Sequence, residues 1–109
     1  MEKTTENLAF KENDEKNNSE LIAVKRLKQF GATKFGTRII FYLVDEVLKG
    51  HEIRQKEVAK FFNCHDQTIR RAYHVLRRMG VFDLKLRHHQ SPIITIDFEK
   101  FNRIIGGSI

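Results

Sequence analysis

The chain has 109 residues and a formal net charge of +6, with 40% hydrophobic residues. That length holds one domain of ordinary size and excludes a catalytic domain paired with a separate regulatory or effector-sensing domain. One cysteine, Cys64, excludes an internal disulfide framework of the secreted type and points to a reducing, cytoplasmic location, wherever the genome resides.

The charge is unevenly placed. Residues 1–20 hold three lysines against six acids, or −3, and residues 21–109 hold seventeen basic groups against eight acidic, or +9. A folded body with that surplus attracts polyanions, phosphate backbones first and anionic membrane second. Residues 1–20, MEKTTENLAFKENDEKNNSE, have almost no apolar side chains besides Leu8, Ala9 and Phe10. They are expected to form a disordered acidic tail without the apolar core of a signal peptide. The longest apolar cluster, Ile39 to Val44, is far short of a transmembrane span, so no membrane partner is expected.

In chain order, Leu21, Val24, Leu27 and Phe30 recur at helical spacing and predict a short amphipathic helix, with Ser19 available as its cap. Gly31 and Gly36 bracket a loop, after which Thr37 is expected to cap a longer helix reaching about Lys49 and stopped by Gly50. Its apolar stripe comprises Ile40, Leu43, Val44, Val47 and Leu48, widened by Ile39 and Tyr42. Ile53 suits a brief strand, and the next helix runs from Lys56 to Phe62, opened by Arg54 or Gln55. Asn63 follows, the best non-glycine residue for the left-handed conformation that ends a helix.

A further helix is predicted from Asp66 to Met79, with Ile69, Ala72, Tyr73, Leu76 and Met79 on one face and Gly80 as its stop. The period then changes to two. Val81, Phe82, Leu84 and Leu86 alternate with polar residues, and Ile94, Ile96 and Phe98 share a side of a second strand. This is a hairpin over about 81–98 with a basic, histidine-rich tip. A short final helix is expected from Phe98 to Ile105.

The order helix, short strand, helix, tight turn, helix, hairpin, together with Val58, Ala59, Phe62, Asn63, Thr68, Ile69, Ala72, Tyr73, Leu76 and Gly80, resembles the winged helix-turn-helix of GntR-type and related bacterial and archaeal regulators. Asn63 stands where that family prefers Gly, and His65 where it prefers a Ser cap, leaving Asp66 or a shifted start to supply the cap. The resemblance implies an α+β fold, a three-helix core plus a two-stranded wing flanked by short helices. It also implies sequence-specific binding of double-stranded DNA as a transcription regulator.

The residue types fit that chemistry independently. The face of helix 66–79 opposite the apolar one presents Gln67, Arg70, Arg71, His74, Arg77 and Arg78. Such a helix fits the major groove of B-DNA, where Arg pairs with guanine and Gln with adenine. Gln67, Thr68, Arg70 and Arg71 are the candidates for base edges; Arg77 and Arg78 lie farther along, nearer to phosphates. Asp66 counts mildly against DNA there; its place at a helix N-terminus favours a structural role, although a carboxylate can also accept from cytosine N4.

Lys85, Arg87, His88 and His89 furnish the wing, with the histidines adding charge only below about pH 6.5. Cys64, His65, His74, His88 and His89 have no zinc spacing, no nucleophile can be given an orienting partner, and no phosphate-binding glycine loop occurs. No enzyme activity, metal or cofactor is therefore expected. A homodimer is consistent with a single short half-site reader and with the need of Leu21–Phe30 and Phe98–Ile105 for burial, although these segments can equally pack on their own core. The alternative function is a winged-helix protein-interaction module within a larger nucleic-acid-handling assembly.

Overall fold

The computed structural model describes residues 22–106. The expected acidic tail and Ser19, the expected cap of the first helix, lie outside the described residues, as do Leu21 and Gly107. Five helices and one hairpin make an α+β fold in the order α1 (residues 22–29), α2 (Lys34–Leu48), α3 (Gln55–Phe62), α4 (Asp66–Arg78), β1 (Phe82–Arg87), β2 (Gln90–Ile96) and α5 (Phe98–Gly106).

The start of α2 departs from the sequence expectation by one turn. Thr33, not Thr37, is the N-cap: its Oγ1 accepts from the Gly36 N–H at 2.9 Å. Thr37 is instead buried inside the helix, where its Oγ1 donates to the Thr33 carbonyl at 2.9 Å. The sequence expectation names Thr37 alone because it puts Gly36 in a loop, which sets the helix start one turn late. Gly36 falls in the first turn, where its N–H would have no helical partner and the cap supplies one. Ile39, Ile40 and Leu43 form the buried stripe of α2, while Leu48, expected in it, is 65% exposed at the helix end.

Residues 51–54 form no strand; the sheet described is the hairpin alone. Ile53 is nevertheless buried, and Arg54 reaches the hairpin by its side chain, Nε donating to Ser91 Oγ at 3.1 Å. The segment is thus attached by a side chain where a strand would have used its backbone. Asn63 adopts φ 53°, the left-handed geometry expected of it, and the Cys64 N–H closes the turn on the Ala59 carbonyl at 2.9 Å.

His65 occupies the N-cap of α4 without using its side chain. Gln55 of α3 steadies that end instead, Nε2 donating to the Asp66 carbonyl at 3.0 Å. Ile69, Ala72, Tyr73 and Leu76 are buried as expected, with Met79 at the C-cap, and Val75 joins them. Ala59 and Ala72 allow α3 and α4 to approach closely, and Ile69 and Leu76, both fully buried, fill the space beside them.

The hairpin pairs Phe82 with Ile96, Leu84 with Ile94 and Lys85 with Ile93, then shifts register before Arg87 meets Gln90. Phe82 and Leu84 pack against the core, but Leu86, expected to continue that row, is 80% exposed because the strand has left the core by then. Phe98 does not extend β2. Asp97 ends the strand and opens α5, its Oδ1 accepting from the Lys100 N–H at 3.1 Å. The flanking helices find their burial inside the chain: Leu27 of α1 and Phe101 of α5 belong to the same core as Ile69 and Leu76.

Candidate nucleic-acid interface

At 100° per residue, Gln67, Arg70, Arg71, His74, Arg77 and Arg78 fall on one arc of α4, and all six are exposed. The fully buried Ile69 and Leu76 anchor the opposite side, so this arc is fixed outward by the packing of the core. Thr68 lies at its edge and is half-buried, beside Gly31, Thr33 and Gly36 at the start of α2.

Contacts divide these side chains into two groups. Gln67, Arg70 and Arg71 extend from the N-terminal half of α4. Arg77 and Arg78, at the other end, are engaged within the protein. The Arg77 guanidinium lies 5.2 Å from the centroid of the Phe82 ring and 3.4 Å from His74 Nδ1. Phe82 also stacks on Tyr73, centroids 5.1 Å apart. Burial pushes the Tyr73 hydroxyl above its ordinary pKa, so it stays neutral beneath the cations. Arg78 Nη1 donates to the Phe30 carbonyl at 3.0 Å and so fastens the end of α4 to the turn after α1.

The hairpin residues divide by the period of two. Phe82 and Leu84 face α4, whereas Lys85 points to the reverse face of the hairpin and is exposed there. Arg87 is half-buried. Its Nε donates to the Ser91 carbonyl at 2.8 Å, and its Nη2 lies 3.6 Å from Glu52, whose other carboxylate oxygen is 3.6 Å from Arg54. Glu52 thereby ties the hairpin to the connection between α2 and α3. His88 and His89 form the exposed turn with ring centroids 3.8 Å apart, His89 at φ 59°.

Between α4 and the hairpin runs a cleft of about 350 Å³ lined on one wall by Gln55, Arg70, Tyr73, His74 and Arg77 and on the other by Leu84, Leu86 and Pro92. Arg70, His74 and Arg77 therefore belong to one surface with the hairpin. Lys85 is turned away from this cleft. Three residues of this region carried no signal in the sequence beyond their type: Gln55 braces α4, Arg54 braces the hairpin, and Leu86 lines the cleft while read as core. Their roles depend on contacts across eleven to thirty-seven positions of chain.

Among the described residues no group of three or more His, Cys, Asp or Glu side chains is placed to hold a metal ion, and no helix is long and apolar enough to cross a membrane. Cys64 is half-buried in the turn between α3 and α4. No protein-family model, curated protein or solved structure matches this chain.

Proposed function

We propose that this chain is a winged helix-turn-helix protein that binds double-stranded DNA sequence-specifically, as a non-enzymatic transcription regulator. In this reading α4 enters the major groove, and the hairpin is the wing that follows the flanking backbone. The observation that carries the reading is the outward arc of α4, where four arginines, a histidine and a glutamine stand together without a carboxylate or an apolar side chain.

The placement of the arginines refines their roles. Arg70 and Arg71, which have no protein partner at hydrogen-bond distance among the described residues, are assigned with Gln67 and Thr68 to bases and adjacent phosphates. Arg77 supports the interface from its seat on Phe82. Arg78 is assigned to holding the fold.

The test is fluorescence anisotropy with a labelled random-sequence duplex. If roughly four phosphates are neutralised, affinity falls about 100-fold between 50 and 200 mM salt. Arg70→Ala combined with Arg71→Ala abolishes binding and leaves the thermal midpoint unchanged. Absence of wild-type binding at low salt would refute the proposal. The protein-interaction reading has one observation in its favour, Phe61, which is 67% exposed and stacked on Tyr42 with centroids 4.9 Å apart. A partner held there would resist the same rise in salt, since burial of aromatic surface is little screened.

A further inference from the structure

Leu86 is the most exposed of the large hydrophobic side chains among the described residues, at 80%. Isolated apolar residues on a surface are common and call for no explanation by themselves. Leu86 differs by its setting. It lies where the hairpin register shifts, between Lys85 and Arg87, and lines the same cleft as Leu84 and Tyr73. Beside it stands Pro92, and the facing wall of the same cleft carries Arg70, His74 and Arg77. Lys85 and Asp83 are on the reverse face, and the tip beyond is Arg87, His88 and His89. Glu52, a carboxylate beside the tip, is held by Arg54 and Arg87.

An occupant of this cleft meets cations on one side and an aliphatic surface on the other. An apolar peptide would strip water from the arginines without neutralising them, which is costly. A duplex satisfies both walls. Its phosphates meet the cations, and its minor groove accepts apolar side chains, leucine and proline among them.

We infer that Leu86, supported by Pro92, is an apolar DNA-contacting residue that seats in the minor groove next to the major-groove site of α4. This rests on the DNA-binding reading above and adds to it a contact that is not electrostatic. Most of the leucine surface is available for burial, so its loss lowers affinity about 10-fold. Because no ion pair is involved, the salt dependence is unchanged.

The experiment measures binding of the full chain to a labelled random-sequence duplex at several salt concentrations for wild type, Leu86→Ala and Leu86→Met. The expected result is an affinity about 10-fold lower for Leu86→Ala at every salt concentration, a parallel salt slope, and recovery to near wild type in Leu86→Met. The exposure of Leu86 predicts equal thermal midpoints for all three. If the wild type binds and Leu86→Ala binds within twofold of it, the contact does not exist. A changed salt slope in Leu86→Ala, or no recovery with methionine, also overturns it, because the substitution would then have acted on the cations or the hairpin geometry. If the wild type itself fails to bind at low salt, the DNA reading falls and this contact falls with it.

Discussion

Arg78 and Arg71 lie on one helix, and the proposed function gives the first a structural role and the second a contact to DNA. Its Nη1 donates to the Phe30 carbonyl at 3.0 Å, forty-eight positions away in the chain, and its guanidinium lies over Gly31, where an added Cβ would come within 2.5 Å of it. Hydrogen bonds from a charged donor contribute about 1.5–3 kcal/mol when protected from water, and this one is exposed, so about 1 kcal/mol is the appropriate figure for Arg78→Ala. For a domain of this size that lowers the thermal midpoint by roughly 4–8 °C. Arg71 lies on the same arc and has no such anchor, so Arg71→Ala leaves the midpoint within about 1 °C, in keeping with surface substitutions that break no specific contact. Paired thermal melts and duplex titrations of the two variants decide the matter. Arg78→Ala is expected to lose stability and retain binding to within about threefold, and Arg71→Ala the reverse. An Arg78→Ala protein that melts like wild type and binds DNA as poorly as Arg71→Ala would refute the assignment and extend the DNA contact to the end of α4.

Two other consequences concern stability. Thr33→Ala removes the only side chain that caps α2 and is expected to cost about 1 kcal/mol in denaturant unfolding, whereas Thr33→Ser retains the oxygen and most of the stability. Glu46 lies 2.5 Å from His51 Nδ1, and this hydrogen bond, helped by one from Tyr42, holds its carboxyl below the usual glutamate range. A carboxylate whose pKa is depressed by folding stabilises the protein fully above its unfolded value and ceases to do so as pH falls through the folded value. Midpoints measured from neutral to acid pH are therefore expected to drop more steeply in the wild type than in Glu46→Gln through and below the ordinary glutamate range; parallel curves would count against the contact.

Local signals in the sequence located most elements. Asn63 was identifiable as the turn because few residues tolerate positive φ, and Gly80 as the stop of α4 by the same argument; both have it. The apolar face of α4 followed from periodicity alone, and its opposite face, with every candidate on it, followed by geometry. The errors arose where local chemistry did not decide. Thr37 is the expected cap of α2, but Thr33 carries the same hydroxyl one turn earlier and Thr37 is buried within the helix. Leu86 is expected to continue the strand alternation, but the hairpin register shifts there and the side chain is exposed. Position along α4 separated Arg70 and Arg71 from Arg77 and Arg78 in the sequence, but the engagement of the second pair within the protein was not legible, because Phe30 and Phe82, which engage Arg78 and Arg77, approach α4 only after the chain has folded.

Phe82 receives both Tyr73 and Arg77 of α4 on its ring, and Glu52 ties the far end of the hairpin to the connection before α3. The hairpin is thus braced at its base and near its tip, and its separation from α4 is set when the chain folds. A body that enters the cleft meets jaws of fixed gape and does not have to order them, so little conformational entropy remains to be lost on binding. For a duplex, such jaws act as a caliper. Under the DNA-binding proposal they would discriminate by the local course of the backbone held between them, a property that varies with sequence even at base pairs that no side chain touches.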